Sequence, residues 1–108
     1  MSEIFENVSI NKAANSYFNG NVTSRTITFE DGSTKTLGIM LPGEYEFSTQ
    51  LPELMEITEG DVEILLPNEA EWTKITNGQS FNVIGDASFK IKVHQVTDYI
   101  CTFISEGE

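Results

Sequence analysis

The chain has 108 residues, 39% of them hydrophobic and eleven of them aromatic, which is enough for one packed core and too little for two domains. Six basic against seventeen acidic residues leave a formal charge of −11, a field that repels the phosphate backbone of nucleic acid and the anionic face of a membrane. Neither is expected as a partner, and the bland reading of the charge is solubility. A single cysteine, Cys101, excludes an intrachain disulfide. No apolar run approaches the ~20 residues that cross a bilayer. The acidic start, Met1-Ser2-Glu3-Ile4-Phe5-Glu6, is unlike a secretory signal, so the expected location is cytoplasmic.

Residues 1–18 show neither a helical nor a strand period and read as irregular or as a short edge strand, with 1–14 an N-terminal arm outside the domain. From Val22 to Phe29 β-branched and aromatic residues dominate, and Glu30-Asp31-Gly32 turns the chain into a returning strand through Leu41. Pro42-Gly43 breaks that strand, proline by fixing φ and glycine by admitting a tight turn. Over residues 44–49 the chain alternates strictly: Tyr45, Phe47 and Thr49 share one face, and Glu44, Glu46 and Ser48 the other. Pro52 opens the next strand, with Met55 and Ile57 inward on the parity of Glu53, and Gly60-Asp61 turns it into 62–66. Strands at 72–75, 80–84, 88–93 and 96–104 follow, separated by Asn77-Gly78, Gly85-Asp86 and His94-Gln95. Short strands at regular spacing, with no ten-residue helical window, predict an all-β antiparallel jelly-roll barrel of two sheets. The domain is expected to span 15–104, with 105–108 an acidic tail.

Residues 42–60 close with Glu53 and, six residues later, Gly60, the spacing that ends the first motif of the cupins, a superfamily of small double-sheet barrels. That pattern runs Gly, five residues, His-x-His, three or four residues, Glu, six residues, Gly; a later motif supplies a third histidine. Laid on this chain, the imidazole positions hold Phe47, Thr49 and Phe89, and Ile84 stands where a proline would. Phenyl rings and a hydroxyl do not replace imidazoles as metal ligands. Shifting the frame by one residue offers Glu46, Ser48 and Glu53, a thin set for a transition metal. His94, the one histidine, falls at a turn and reads as a surface residue.

A closer match comes from 15–22 (NSYFNGNV), 37–40 (LGIM), 43–49 (GEYEFST), 65–67 (LLP), 80–83 (SFNV) and 99–101 (YIC). In order and spacing these segments resemble the pyrimidine/purine nucleoside phosphorylase family of small cupins. The resemblance implies phosphorolysis: a nucleoside plus inorganic phosphate gives a free base and a pentose 1-phosphate, with broad base tolerance. It implies no metal and no organic cofactor. A homodimer is expected, as small cupins commonly pair. A different class of function, a non-catalytic cupin binding a nucleoside or sugar phosphate, is motivated by the missing metal ligands.

Cleavage of an N-glycosidic bond builds positive charge on the sugar, so the site needs an anion by the anomeric carbon, contacts to the ribose and a surface for the base. Phosphate supplies the anion. Glu53 is the first catalytic candidate, a carboxylate able to accept two ribose hydroxyls, with a structural role satisfying turn amides as its alternative. Tyr45 is the second, either a stacking or phenol-donating group or core filling. Phe47, Phe81 and Phe89 are candidate barrel lining that offers stacking surface to a base, and Ser48 and Thr49 are candidate phosphate contacts. Arg25, Lys35, Lys90 and Lys92 are further cations open to that role, each equally readable as a solvated strand residue. Cys101, on an apolar strand without a histidine partner, reads as core.

Overall fold

The structure, a computed structural model, describes residues 4–104. Eleven strands run β1 (Ser9–Ile10), β2 (Asn15–Tyr17), β3 (Val22–Thr28), β4 (Thr34–Met40), β5 (Gly43–Thr49), β6 (Glu53–Glu59), β7 (Asp61–Leu65), β8 (Thr73–Thr76), β9 (Gln79–Val83), β10 (Ala87–Val93) and β11 (Thr97–Phe103). The larger sheet has the order β1-β3-β4-β11-β6-β9, with β2 also on β3; the smaller has β5-β10-β7-β8. Every pairing is antiparallel. Successive strands from β4 to β7, and again from β8 to β11, change sheet at each turn. This wraps the two sheets round one interior, the double-sheet roll expected from the strand spacing. No helix among the described residues is long and apolar enough to cross a membrane.

Alternation decides what the interior receives. On β5, Tyr45 and Thr49 are buried and Phe47 half-buried, while Glu44, Glu46 and Ser48 face out. On β6, Met55 and Ile57 are buried and Glu53, on the same parity, is half-buried. Met55 and Ile57 form one continuous core with Val62, Ile64, Ile91, Val93, Val22 and Met40. Burying each such side chain stabilises the fold by ~1.5–3 kcal/mol before entropy is counted.

Two glycines permit close approaches that matter for the interior. A Cβ at Gly60 would collide with the Thr97 side chain, so the glycine that closes the first cupin motif is where β6 turns against β11. A Cβ at Gly38 would lie 2.8 Å from the Tyr99 ring, so this glycine lets Tyr99 lie flat over β4.

The N-terminal segment is partly built into the larger sheet. Ile10 pairs with Ile27 and Ser9 with Thr28, so the arm contains the short edge strand that was one of its two readings. The same stretch holds a second short strand, β2, whose three exposed residues carry no hydrophobic period to place it. It leads into a single 3-10 turn, Phe18–Gly20, in which Phe18 and Asn19 both take positive φ (53° and 57°). The acidic tail at 105–108 lies outside the described residues.

Candidate functional site

Where β3, β4, β6 and β11 of the larger sheet face β5 and β10 of the smaller, the interior is not filled. A cavity of about 200 Å³ opens there. Its aromatic wall comes from the smaller sheet. Phe47 and Phe89 are register partners on β5 and β10 and stack with centroids 5.7 Å apart and planes 27° from parallel. Two of the positions that hold imidazoles in a metal-binding cupin therefore do converge, but as a pair of phenyl rings. The third, Thr49, is buried; its hydroxyl donates to the Ile84 carbonyl at 2.7 Å and accepts the Ala87 amide at 3.2 Å, tying down the β9–β10 turn. No group of three or more His, Cys, Asp or Glu among the described residues is placed to hold a metal ion. The shifted set is split: Glu46 is exposed on the outer side of β5, where the Ser88 hydroxyl donates to it, and does not meet Glu53.

The polar wall comes from the larger sheet. Ser24 on β3, Thr36 on β4, and Tyr99 and Cys101 on β11 line the cavity together with Glu53 on β6. Cys101 stands opposite Thr36 on one side and Met55 on the other, so its thiol reaches diagonally to Glu53, with Sγ donating to Oε1 at 3.3 Å. That thiol is the carboxyl's one hydrogen-bond partner among the described residues, and the turn-amide role for Glu53 is not realised. Burial pushes the Glu53 carboxyl above its ordinary range, and the Cys101 thiol acts in the opposite sense. Burial also pushes up the Cys101 thiol, with the neighbouring Glu53 adding to the effect, so the sulfur stays protonated and is no nucleophile. The Tyr99 phenol is likewise raised, chiefly by burial.

Among the described residues, Glu53 is the only ionisable acid or base of the Asp, Glu, Lys, Arg and His kind that lines the cavity. The basic residues considered for phosphate are engaged elsewhere or exposed. Arg25 donates to the Lys12 carbonyl, Lys35 lies over the Phe5 and Phe29 rings, Lys92 sits 4.2 Å over Trp72, and Lys90 is exposed. His94 is exposed, with Nε2 2.6 Å from a Glu63 oxygen.

Of the residues singled out in the sequence, Glu53, Phe47 and Phe89 line the cavity, and Ser48, on the outer parity of β5, only borders it. Tyr45, Thr49 and Phe81 do neither. The Tyr45 hydroxyl is spent on the Leu41 carbonyl at 2.6 Å, which makes it a strut of the β4–β5 turn rather than a group aimed at a substrate. Phe81 packs edge-on behind Phe89 at 5.8 Å. Sequence reasoning missed Tyr17 and Phe103, aromatic residues that line the cavity yet are 47% and 44% exposed. Their signal is the combination of exposure and a neighbouring cavity, which only the assembled sheets reveal.

Comparison with known proteins places this geometry. The family model described as pyrimidine/purine nucleoside phosphorylase matches residues 12–103. A curated relative from Sulfurovum sp. (strain NBC37-1), named pyrimidine/purine nucleoside phosphorylase, is 57% identical over 100 residues, covering 93% of this chain and 97% of its own length. A solved structure of a protein of unknown function from Acinetobacter sp. ADP1 superposes with a TM-score of 0.93 at 40% identity, covering 95% of this chain and all of that one. An RmlC-like cupin from Shewanella frigidimarina gives a TM-score of 0.67 at 16% identity, covering 93% and 86% of the two chains, and shares the fold.

Proposed function

Because the chain belongs to the pyrimidine/purine nucleoside phosphorylase family, we propose that its cavity is the site of phosphorolysis of purine and pyrimidine nucleosides. The observation that carries the activity is the match along nearly the whole chain. The cavity is the interior site with a carboxyl, hydroxyls and an aromatic wall, the parts that the reaction asks for.

In this reaction a phosphate oxygen bonds to the anomeric carbon as the glycosidic C–N bond breaks. The bonding pair leaves with the base nitrogen, which takes up a proton. Glu53 serves this step at the sugar. Held at the polar wall, it meets the ribose hydroxyls and, when protonated, is an acid within reach of the departing base. Phosphate meets hydroxyls rather than cations here: Ser24 and Thr36 are neutral groups on the cavity wall, beside Tyr99, whose own hydroxyl donates to the Thr23 carbonyl at 3.4 Å. Holding sugar and phosphate in line accounts for a large part of the rate, an effect of ~7–11 kcal/mol at its best.

The cavity is smaller than the ~300–1,000 Å³ of common ligand pockets. A ribose and phosphate fill it, and the base lies at the mouth on the exposed Tyr17 and Phe103 rings. Stacking reads the π-face that every base has, which accounts for broad base tolerance. No metal enters this scheme, since the positions that would ligate one carry Phe47, Thr49 and Phe89.

The outer face of β3, β4 and β11 supports a homodimer. Leu37 and Ile39 are 43% and 41% exposed there, beside Ile10, and the same groove holds Arg25 and Asp98. A second copy related by a two-fold axis sets the arginine of one against the aspartate of the other over a shared apolar strip. A cytoplasmic location, with neither nucleic acid nor membrane as partner, fits the −11 charge and single cysteine.

The test is to incubate purified protein with uridine or inosine, with and without phosphate, and follow free base. Base release that requires phosphate is expected. Saturable nucleoside binding without turnover selects a non-catalytic binding cupin instead. Light scattering checks the dimer, and Arg25→Glu is expected to shift the protein towards monomer.

A further inference from the structure

We propose that Cys101 is a positioning residue for this reaction: its thiol holds one oxygen of Glu53 against the β11 wall, so that the other oxygen is presented to the sugar. The proposal rests on the reading of the cavity as the phosphorolysis site.

The geometry leaves the thiol little else to do. Cys101 is 5% exposed and belongs to the core cluster, and it also lines the cavity. Its Sγ donates to Glu53 Oε1 at 3.3 Å, and Oε2 has no partner among the described residues. A buried cysteine chosen only for packing would be equally served by valine or alanine, which cannot donate. Without a donor, a carboxyl on a flexible side chain would sample several rotamers. One weak hydrogen bond at the β6–β11 diagonal selects among them. On the far side of the cysteine, Thr36 is its register partner on β4, so that Thr36, Cys101 and Glu53 make a short row across three strands.

The bond also bears on when the carboxyl ionises. A donor favours the carboxylate, so the thiol opposes the upward pull of burial. Among the described residues no charged group competes with it. The titratable groups facing Glu53 are Cys101 and Tyr99 from β11 and Tyr17 from β2; β4, β5 and β10 contribute Thr36, Phe47, Ser48 and Phe89, and β9 contributes the apolar Val83 opposite Glu53. Cys101 is therefore the direct lever on Glu53.

The experiment compares wild type, Cys101→Ala and Cys101→Ser. The Glu53 carboxyl is followed by 13C NMR, its signal assigned with Glu53→Gln, and phosphate-dependent base release is measured against pH. Cys101→Ala is expected to raise the Glu53 titration midpoint and to lower kcat about five- to tenfold with a smaller change in KM. Its pH–rate profile should move with the midpoint. Serine, which keeps a donor, should return both towards wild type. In a Glu53→Gln background the alanine substitution should have little further effect on rate. An unchanged midpoint in Cys101→Ala, or an equal loss in the Glu53→Gln background, overturns the proposal.

The partner side supplies a second readout should the alanine variant not fold. Removing the carboxylate in Glu53→Gln should speed alkylation of Cys101 by iodoacetamide several-fold at a fixed alkaline pH, and an unchanged rate overturns the pairing. If wild type releases no base at all, the phosphorolysis reading fails while the NMR and alkylation arms still decide whether thiol and carboxyl are coupled.

Discussion

The inner face of β6 joins two unlike ends of the same interior. At one end Ile57 is fully buried, packed in the core with Val62, Ile64, Ile91 and Met40. Four residues earlier on the same face, Glu53 is half-buried beside a cavity, with a single hydrogen bond to a thiol. The filled end obeys the rule that apolar side chains close-pack; the open end breaks it with a carboxyl raised by burial. The fold's stability is concentrated at one end, and the other is left unfilled and polar, as a site must be.

Substitutions at the two ends should therefore fail in different ways. Ile57→Ala carries the largest expected effect, a loss of ~2–5 kcal/mol from the missing contacts and the void they leave. Denaturant unfolding should show it, while the rate per folded molecule, measured well below the midpoint, stays near wild type. A rate loss in fully folded protein would show that the ends are not separate.

At the open end the order reverses. Glu53→Gln is expected to lower turnover at least tenfold, a change of about 1.4 kcal/mol or more in the barrier, with no loss of fold by circular dichroism. Wild-type rates in folded protein would remove Glu53 from the site. Thr49 stands between the two, a former candidate for phosphate whose hydroxyl is committed to the β9–β10 turn. Thr49→Val should leave kcat unchanged and cost about 1–3 kcal/mol, because the Ile84 carbonyl and Ala87 amide lose a buried partner. A specific fall in phosphate affinity would return Thr49 to the site.

The filled end was the more legible of the two. Strict alternation on β5 and β6 gave the inward parity of Tyr45, Phe47, Met55 and Ile57 from the residue pattern alone. Glu53 was legible through motif spacing, and Phe47 and Phe89 through the imidazole positions they occupy. What alternation cannot give is which strands become neighbours. Ser24, Thr36 and Cys101 are ordinary strand residues until β3, β4, β11 and β6 lie side by side and gather them on one wall. Tyr45 realises the core-filling half of its reading. An aromatic on the right face of the right strand was on offer, but its hydroxyl is claimed by Leu41 across a turn whose geometry the sequence does not specify. Tyr17 escaped because β2 is exposed on both faces and has no period to find.

The smallest expected effect is also the one most peculiar to the open end. Burial raises the Glu53 carboxyl above its ordinary value of 4.5, so the folded protein holds this proton more tightly than the unfolded chain does. Below that ordinary value the group is protonated in both states and opposes folding in neither. As pH rises towards and through the raised folded value, the unfolded chain ionises first and the balance tilts against the native state. Glutamine has the same shape and no proton to lose. Glu53→Gln should therefore match wild type in Tm near pH 4 and exceed it at pH 7, with the gap opening between. The remaining carboxylates titrate alike in the two proteins and drop out of the difference. A gap that is flat with pH, or that favours the wild type at neutral pH, would mean that Glu53 is a satisfied structural carboxylate, and that the open end gives up no stability to hold it.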